Sequence, residues 1–164
     1  MAYDRPRALR GILHRDGGGF TFVELLLAVS ILAVIVVGIQ EMFIMASVLG
    51  DVSSNTSIAI IEARNKIEEI RNTPFDDIVT NYSLAGDPGK TFNAVNIQGK
   101  GVVTIDDTDP LLLKVTVDVS FLCKNNRKIG EDKNLDGILE GGEDDNGNGK
   151  LDSVATLTTY IAKR

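Results

Sequence analysis

From Phe20 to Ile39 the chain is almost unbroken apolar, with Glu24 as its one ionisable side chain. Twenty helical residues at about 1.5 Å each span roughly 30 Å, the hydrocarbon thickness of a bilayer. Further on, Ser53, Ser54, Asn55, Thr56 and Ser57 are polar, so the chain is expected to leave the bilayer well before Ile58. Ala59, Ala63, Ile67 and Ile70 then recur at helical spacing, with Ile60 beside them and Glu62, Arg64, Lys66 and Glu69 mostly between. That pattern predicts an amphipathic helix packing on a sheet. Pro74 ends it, because the residue before a proline avoids helical angles. One long helix is therefore predicted over 20–73, with 20–39 transmembrane and Gly38 and Gly50 as its expected bend points.

After Phe75-Asp76-Asp77-Ile78 the sequence turns loop-like, punctuated by Gly86, Pro88, Gly89 and Gly99. Val102 to Ile105 reads as a short strand. Leu111 to Leu122 is the clearest strand: Leu113, Val115, Val117, Val119 and Phe121 alternate with Lys114, Thr116, Asp118 and Ser120. One face should be buried and the other wet. Ala155 to Ile161 alternates in the same way. Helix first, then antiparallel strands, is an α+β arrangement with a head over 74–164.

Charge sharpens the reading of the amino-terminal segment. Arg5, Arg7, Arg10 and Arg15 stand against Asp4 and Asp16, four minus two, or +2. This bias keeps the preceding residues cytoplasmic and sends the carboxyl end outward. A secretory signal would place a small-residue cleavage pattern after the apolar core, and Ala46-Ser47-Val48 is a poor one. The run holds no cysteine for a lipoprotein anchor. Glu24 needs its own explanation, since a carboxylate at mid-depth costs on the order of 3 kcal/mol, and less near the interface. Near a helix start it can reach headgroups and favour the dipole.

The string Gly17-Gly18-Gly19-Phe20-Thr21-Phe22-Val23-Glu24, leading into the apolar run, resembles the processing site and first helix of type IV prepilins and type II secretion pseudopilins. The resemblance implies a pilin-like fold and a leader, residues 1–19, cut by a prepilin peptidase between Gly19 and Phe20. It implies N-methylation of Phe20 and pairing of Glu24 with the amine of a neighbouring subunit. The implied partners are other pilin subunits, an inner-membrane assembly platform and, before assembly, the lipid bilayer. The implied location is the inner membrane and then an extracellular or periplasmic filament. Lys66-Ile67-Glu68-Glu69-Ile70-Arg71-Asn72-Thr73-Pro74-Phe75 is also similar to PilV-type minor pilins and I-type pseudopilins.

A second segment, 131–152, inserted between the last two strands, contains two copies twelve residues apart. The first matches the EF-hand ligand pattern: Asp132, Asn134 and Asp136 as side-chain oxygens, Gly137 at the turn, the Ile138 carbonyl, Glu140 through a water and Glu143 twelfth. In the second, Asp144, Asn146, Asn148, the Lys150 carbonyl and Asp152 fit, but the twelfth position is Ala155. Hard oxygen ligands in flexible loops suit Ca2+ and not zinc. No helices evidently flank the loops, so the pattern is closer to extracellular calcium repeats. The segment carries eight carboxylates and two lysines, two minus eight, or −6, the formal charge of the whole chain. Such concentration is self-repulsive unless a cation screens it. An ion-free acidic hairpin tip is the competing reading.

Catalysis has little support, and no enzyme is expected. The sole histidine, His14, lies in the leader, and the sole cysteine, Cys123, ends the long strand, where a small buried residue is expected. No intramolecular disulfide can form. The acidic balance argues against nucleic-acid binding; Lys124, Arg127 and Lys128 are expected to form a solvated turn. The expected function is that of a minor pilin of a type IV pilus-like filament, its head stabilised by Ca2+. The alternatives are a type II secretion pseudopilin and a membrane-anchored, calcium-dependent adhesion or sensing module.

Overall fold

A computed structural model describes residues 19–83 and 89–163. The expected leader, apart from Gly19, and the loop residues Gly86 and Pro88 lie outside the described residues. Helix α1 runs over Phe22–Arg71 without a break at Gly38 or Gly50, two residues inside the expected bounds at each end. The chain divides into two compact units, Met1–Phe43 and Ile44–Arg164.

In the first unit the helix is apolar on all sides, and its large side chains from Phe22 to Phe43 are exposed. An 18-residue window of α1 reaches a mean hydropathy of 2.9, long and apolar enough to cross a membrane.

The second unit pairs the rest of α1 with a sheet. Ala59, Ala63, Ile67 and Ile70 are buried, as their spacing required. The helix closes as Asn72 N–H reaches Glu68 O and Glu69 O and Thr73 N–H reaches Ile70 O, just before Pro74. The expected loop after Ile78 is instead a second helix, α2, Phe75–Ser83. Its Phe75, Ile78, Val79 and Tyr82 join the core, a helical spacing of three, one and three that the glycine-rich sequence downstream obscured.

Five strands follow: β1 Thr91–Asn93, β2 Gly99–Asp109, β3 Leu112–Cys123, β4 Arg127–Ile129 and β5 Thr156–Ala162. All pairings are antiparallel, in the order β1-β2-β3, with β4 and β5 both pairing with β3. The short strand expected at 102–105 is eleven residues long because it pairs with almost all of β3, from Gly99↔Phe121 to Asp109↔Leu112. Val103, Val115, Val117, Val119 and Phe121 form the inner face against α1 and α2.

The other face of the sheet is not wet throughout. Lys100, Asp118 and Ser120 are buried, because the segment between β4 and β5 folds back over them. A side chain at Gly130 would strike Ser120, and one at Gly137 would strike Thr91. The head therefore has three layers at this end: helix, sheet and loop segment. Glu62 and Lys66, expected between the apolar positions, are also buried. Lys66 lies 5.0 Å from the Tyr82 ring centroid and 5.3 Å from that of Phe92, and its ammonium bonds Glu69 at 2.9 Å. Asn96 donates to Glu62 from its side chain at 2.6 Å.

Candidate functional site

Gly19 and Phe20 precede α1 and are exposed, Phe20 at 89 %. Thr21 is the residue before the helix, and Glu24 is the third residue within it. Glu24 Oε2 accepts the Thr21 N–H at 2.9 Å and the Thr21 hydroxyl at 3.0 Å, and Thr21 Oγ1 accepts the Glu24 N–H at 3.2 Å. This is a reciprocal capping box, satisfying helix-start donors that have no intrahelical acceptor. Within one chain, then, the carboxylate folds back onto Thr21. Sequence reasoning passed over Thr21, although Thr-Phe-Val-Glu is the threonine-to-glutamate spacing of that motif.

The two loops at 131–152 share one hydrogen-bond scheme, displaced by twelve residues. In the first, Asp132 accepts N–H groups from Leu135 at 2.6 Å, Asp136 at 3.2 Å and Gly137 at 2.9 Å. In the second, Asp144 accepts from Gly147 at 2.6 Å, Asn148 at 3.0 Å and Gly149 at 2.7 Å. Asn134 Oδ1 takes the Asp136 N–H and Asp136 Oδ1 the Ile138 N–H; Asn146 and Asn148 do the same for Asn148 and Lys150. The left-handed positions also repeat, Leu135 with Gly147 and Gly137 with Gly149. Short Asp and Asn side chains bonding the backbone a few residues ahead impose such turns.

The carboxamide of Asn134 donates to Asp136 at 2.9 Å and Glu140 at 3.3 Å. Those of Asn146 and Asn148 both donate to Asp152, at 2.7 and 2.5 Å. These amide donors lie among the oxygens that the ligand pattern assigns to a cation. Among the described residues no three His, Cys, Asp or Glu side chains converge as a metal-holding group.

Burial separates the loops. Asp132 is fully buried and Glu143 nearly so, whereas Asp144 is more open. Burial pushes the Asp132 carboxyl up, while the Gly149 N–H, ahead of those of Asn148 and Gly147, holds Asp144 down. Glu143 closes the first loop by accepting N–H groups from Lys133 at 2.9 Å, Asn134 at 3.2 Å and Glu140 at 3.2 Å. The second loop is closed mainly by backbone bonds, Glu131 N–H to Asp152 O at 2.8 Å and Val119 N–H to Ala155 O at 3.1 Å, together with the Glu131 carboxylate, which accepts the Asp152 N–H at 2.9 Å. Beneath it Asp118 accepts the Thr156 hydroxyl. Burial, with the Asp152 charge adding to it, pushes Asp118 up to about 6.

Cys123 is buried, as expected; Lys124, Arg127 and Lys128 are exposed as expected, but only Lys124 lies in the turn, Arg127 and Lys128 belonging to β4, which pairs with β3. No curated protein and no solved structure matches the chain. Residues 15–39 match the family model of the prokaryotic N-terminal methylation motif, the type IV prepilin signature, which supports a type IV pilin-like or pseudopilin subunit and, with α1 as the one membrane-length apolar helix among the described residues, is consistent with membrane anchoring.

Proposed function

We propose that this chain is a minor pilin, a structural subunit of a type IV pilus-like filament. A prepilin peptidase cuts between Gly19 and Phe20, Phe20 is N-methylated, and the helix holds the subunit in the inner membrane until the assembly platform extracts it. The observation that carries this reading is a cleavable Gly-Phe junction followed by a carboxylate at the mouth of an exposed apolar helix. Thr21 satisfies Glu24 within the lone subunit; on assembly the carboxylate turns to the Phe20 amine of an adjacent subunit, with which it forms a charge-assisted bond. Mass spectrometry of the protein from its native cells tests this. The expected product begins at a methylated Phe20, and an intact leader would refute the proposal. Glu24→Leu should insert normally and fail to enter filaments. A type II secretion pseudopilin, which would use the same helix and processing, is the alternative reading.

The head is stabilised by Ca2+ held in the 131–152 loops. Asp132, Asn134, Asp136, Glu140 and Glu143, with the Ile138 carbonyl, supply the first site. Asp144, Asn146, Asn148 and Asp152, with the Lys150 carbonyl, supply the second. The ion supplies positive charge where six excess negative charges gather. Calcium titration followed by thermal unfolding should raise the midpoint as the ion binds the folded head. An unchanged midpoint at saturating calcium would sink the metal assignment without touching the pilin one.

A further inference from the structure

Among the described residues β5 has a strand on one side only, where it pairs with β3. Lys163 N–H meets Leu111 O at 2.9 Å and Val119 N–H meets Ala155 O at 3.1 Å. These bonds flank the register from Leu112↔Ala162 to Asp118↔Thr156. Because antiparallel pairs alternate, Leu157, Thr159 and Ile161 turn their main-chain groups to β3. Thr156, Thr158, Tyr160 and Ala162 turn theirs away, and all four residues are exposed.

The other open edges of the sheet are guarded. Past Val103, β2 has no strand on its β1 side, but it carries Asp106, Asp107 and Asp109 and a register shift between Asp106 and Asp109. β1 and β4 are three residues each, and β4 holds Arg127 and Lys128. Charge, irregularity and brevity are common means of keeping an edge from pairing with another chain. β5 has none of them: its seven residues run in continuous register without a charge, a proline or a glycine. Beside it, towards the helices, lies a hollow of about 660 Å3 lined by Arg71, Thr73, Phe75, Tyr160, Ile161 and Ala162.

We propose that the free edge of β5 binds a second copy of this chain, the two strands pairing antiparallel about a twofold axis through Thr159. The occupant follows from the strand's own symmetry. In this register Thr156 faces Ala162 of the other copy and Thr158 faces its Tyr160, so outward main-chain groups meet outward groups and exchange about eight bonds. On the helix side Leu157 faces Ile161, both half-buried in the lone chain, and each copy's Leu157 comes to the hollow that the other's Ile161 lines. On the opposite face Thr158 meets Tyr160, a favourable β-branched–aromatic pair. No like charges are opposed. Main-chain bonds with alternate side chains entering a hollow are how a sheet edge takes up a strand, and a self-complementary patch closes at two copies. The interface lies wholly within the second unit and depends on neither the membrane nor the filament reading.

So small an interface is expected to be short-lived in dilute solution, and the test therefore traps it. The full chain in detergent is prepared as differently tagged variants, native Cys123 remaining buried. Opposed residues lie about 5.5 Å apart between Cα atoms, within disulfide reach. Thr158→Cys mixed with Tyr160→Cys should give several-fold more tag-mixed disulfide than Thr158→Cys mixed with Thr156→Cys, which the register holds apart. Thr156→Cys with Ala162→Cys should trap as well as the first pair. Adding Thr158→Pro to both of those chains removes an outward donor that β3 does not use and should cut the yield to the mismatched level. Should that proline abolish the melting transition, Thr158→Lys with Tyr160→Lys sets like charges opposite each other and should lower the yield in the same way. Equal trapping of matched and mismatched pairs, or a yield that neither substitution lowers, overturns the interface.

Discussion

The two acidic loops have nearly the same backbone and different means of closure. In the first, a glutamate at the twelfth position gathers three amides under cover of the sheet. In the second, alanine stands there, and the Val119–Ala155 backbone bond just before β5, with the Glu131 backbone and carboxylate holding Asp152, finishes the turn. Local Asp and Asn chemistry therefore sets loop shape, while the twelfth residue sets who holds the loop shut. A repeat can lose its twelfth-position carboxylate where the neighbouring sheet takes over the mechanical part.

Glu143→Ala should have the largest effect on this contrast. It removes all the side-chain acceptors that close the first loop and leaves three N–H groups to find water, a cost of about 2–4 kcal/mol. Chemical denaturation of the full chain in detergent with a calcium chelator should show that loss. A change below about half a kcal/mol would mean that the first loop, like the second, is closed mainly by backbone bonds.

The paired glycines test packing with backbone angle nearly constant. Gly137 and Gly149 have φ of 78° and 75°, so alanine at either is strained by about 1–2 kcal/mol. At Gly137 the added carbon also meets Thr91 Cγ2 at 2.5 Å, whereas nothing lies within 4 Å at Gly149. Gly137→Ala should therefore cost about 1 kcal/mol or more beyond Gly149→Ala, in line with overpacking penalties. Equal costs would show that the first loop does not rest on the sheet.

Leu135 offers a gain. It holds φ 62° where the second loop has Gly147 at 74°, so Leu135→Gly relieves a left-handed leucine. Against that relief stand glycine's greater entropy loss and the loss of a half-buried side chain. The net stabilisation should be a few tenths of a kcal/mol, read as a higher denaturant midpoint at unchanged slope. Destabilisation by a full kcal/mol would mean that the leucine packs as core.

Much of this was readable from residue order. The apolar run, the stripe Ala59, Ala63, Ile67 and Ile70, and the alternation in β3 each report a local period that tertiary structure obeyed. The twelve-residue repeat was equally plain. What escaped depended on neighbours far along the chain. β1 and β4 are three residues each and exist because long strands offer edges. Lys66 reads as solvent-facing until Tyr82 and Phe92 close around it. Asp118 and Ser120 alternate as wet positions should, yet the returning segment covers them. Polar alternation reports that a face tolerates water, not that water reaches it.

A pH-dependent effect concerns what each loop stands on. Gly137 lies near Lys100, a cation, with 3.4 Å between its would-be side chain and Lys100 Cε. The exit of the second loop lies over Asp118, an acid, facing the charges of Asp152 and Lys150. Asp118 is pushed up to about 6 in the fold, against about 4 in an unfolded chain. The folded state thus binds this proton more tightly, so the group's contribution is fully present below pH about 4 and is lost as pH rises through about 6. Asp118→Asn removes that titration while keeping an acceptor for Thr156. In calcium-free buffer, the wild-type melting midpoint should fall relative to the variant's as pH climbs from about 4 to about 7. A constant difference across that window would mean that Asp118 keeps its ordinary affinity for the proton, and that the second loop, like the first, does not rest on a buried negative charge.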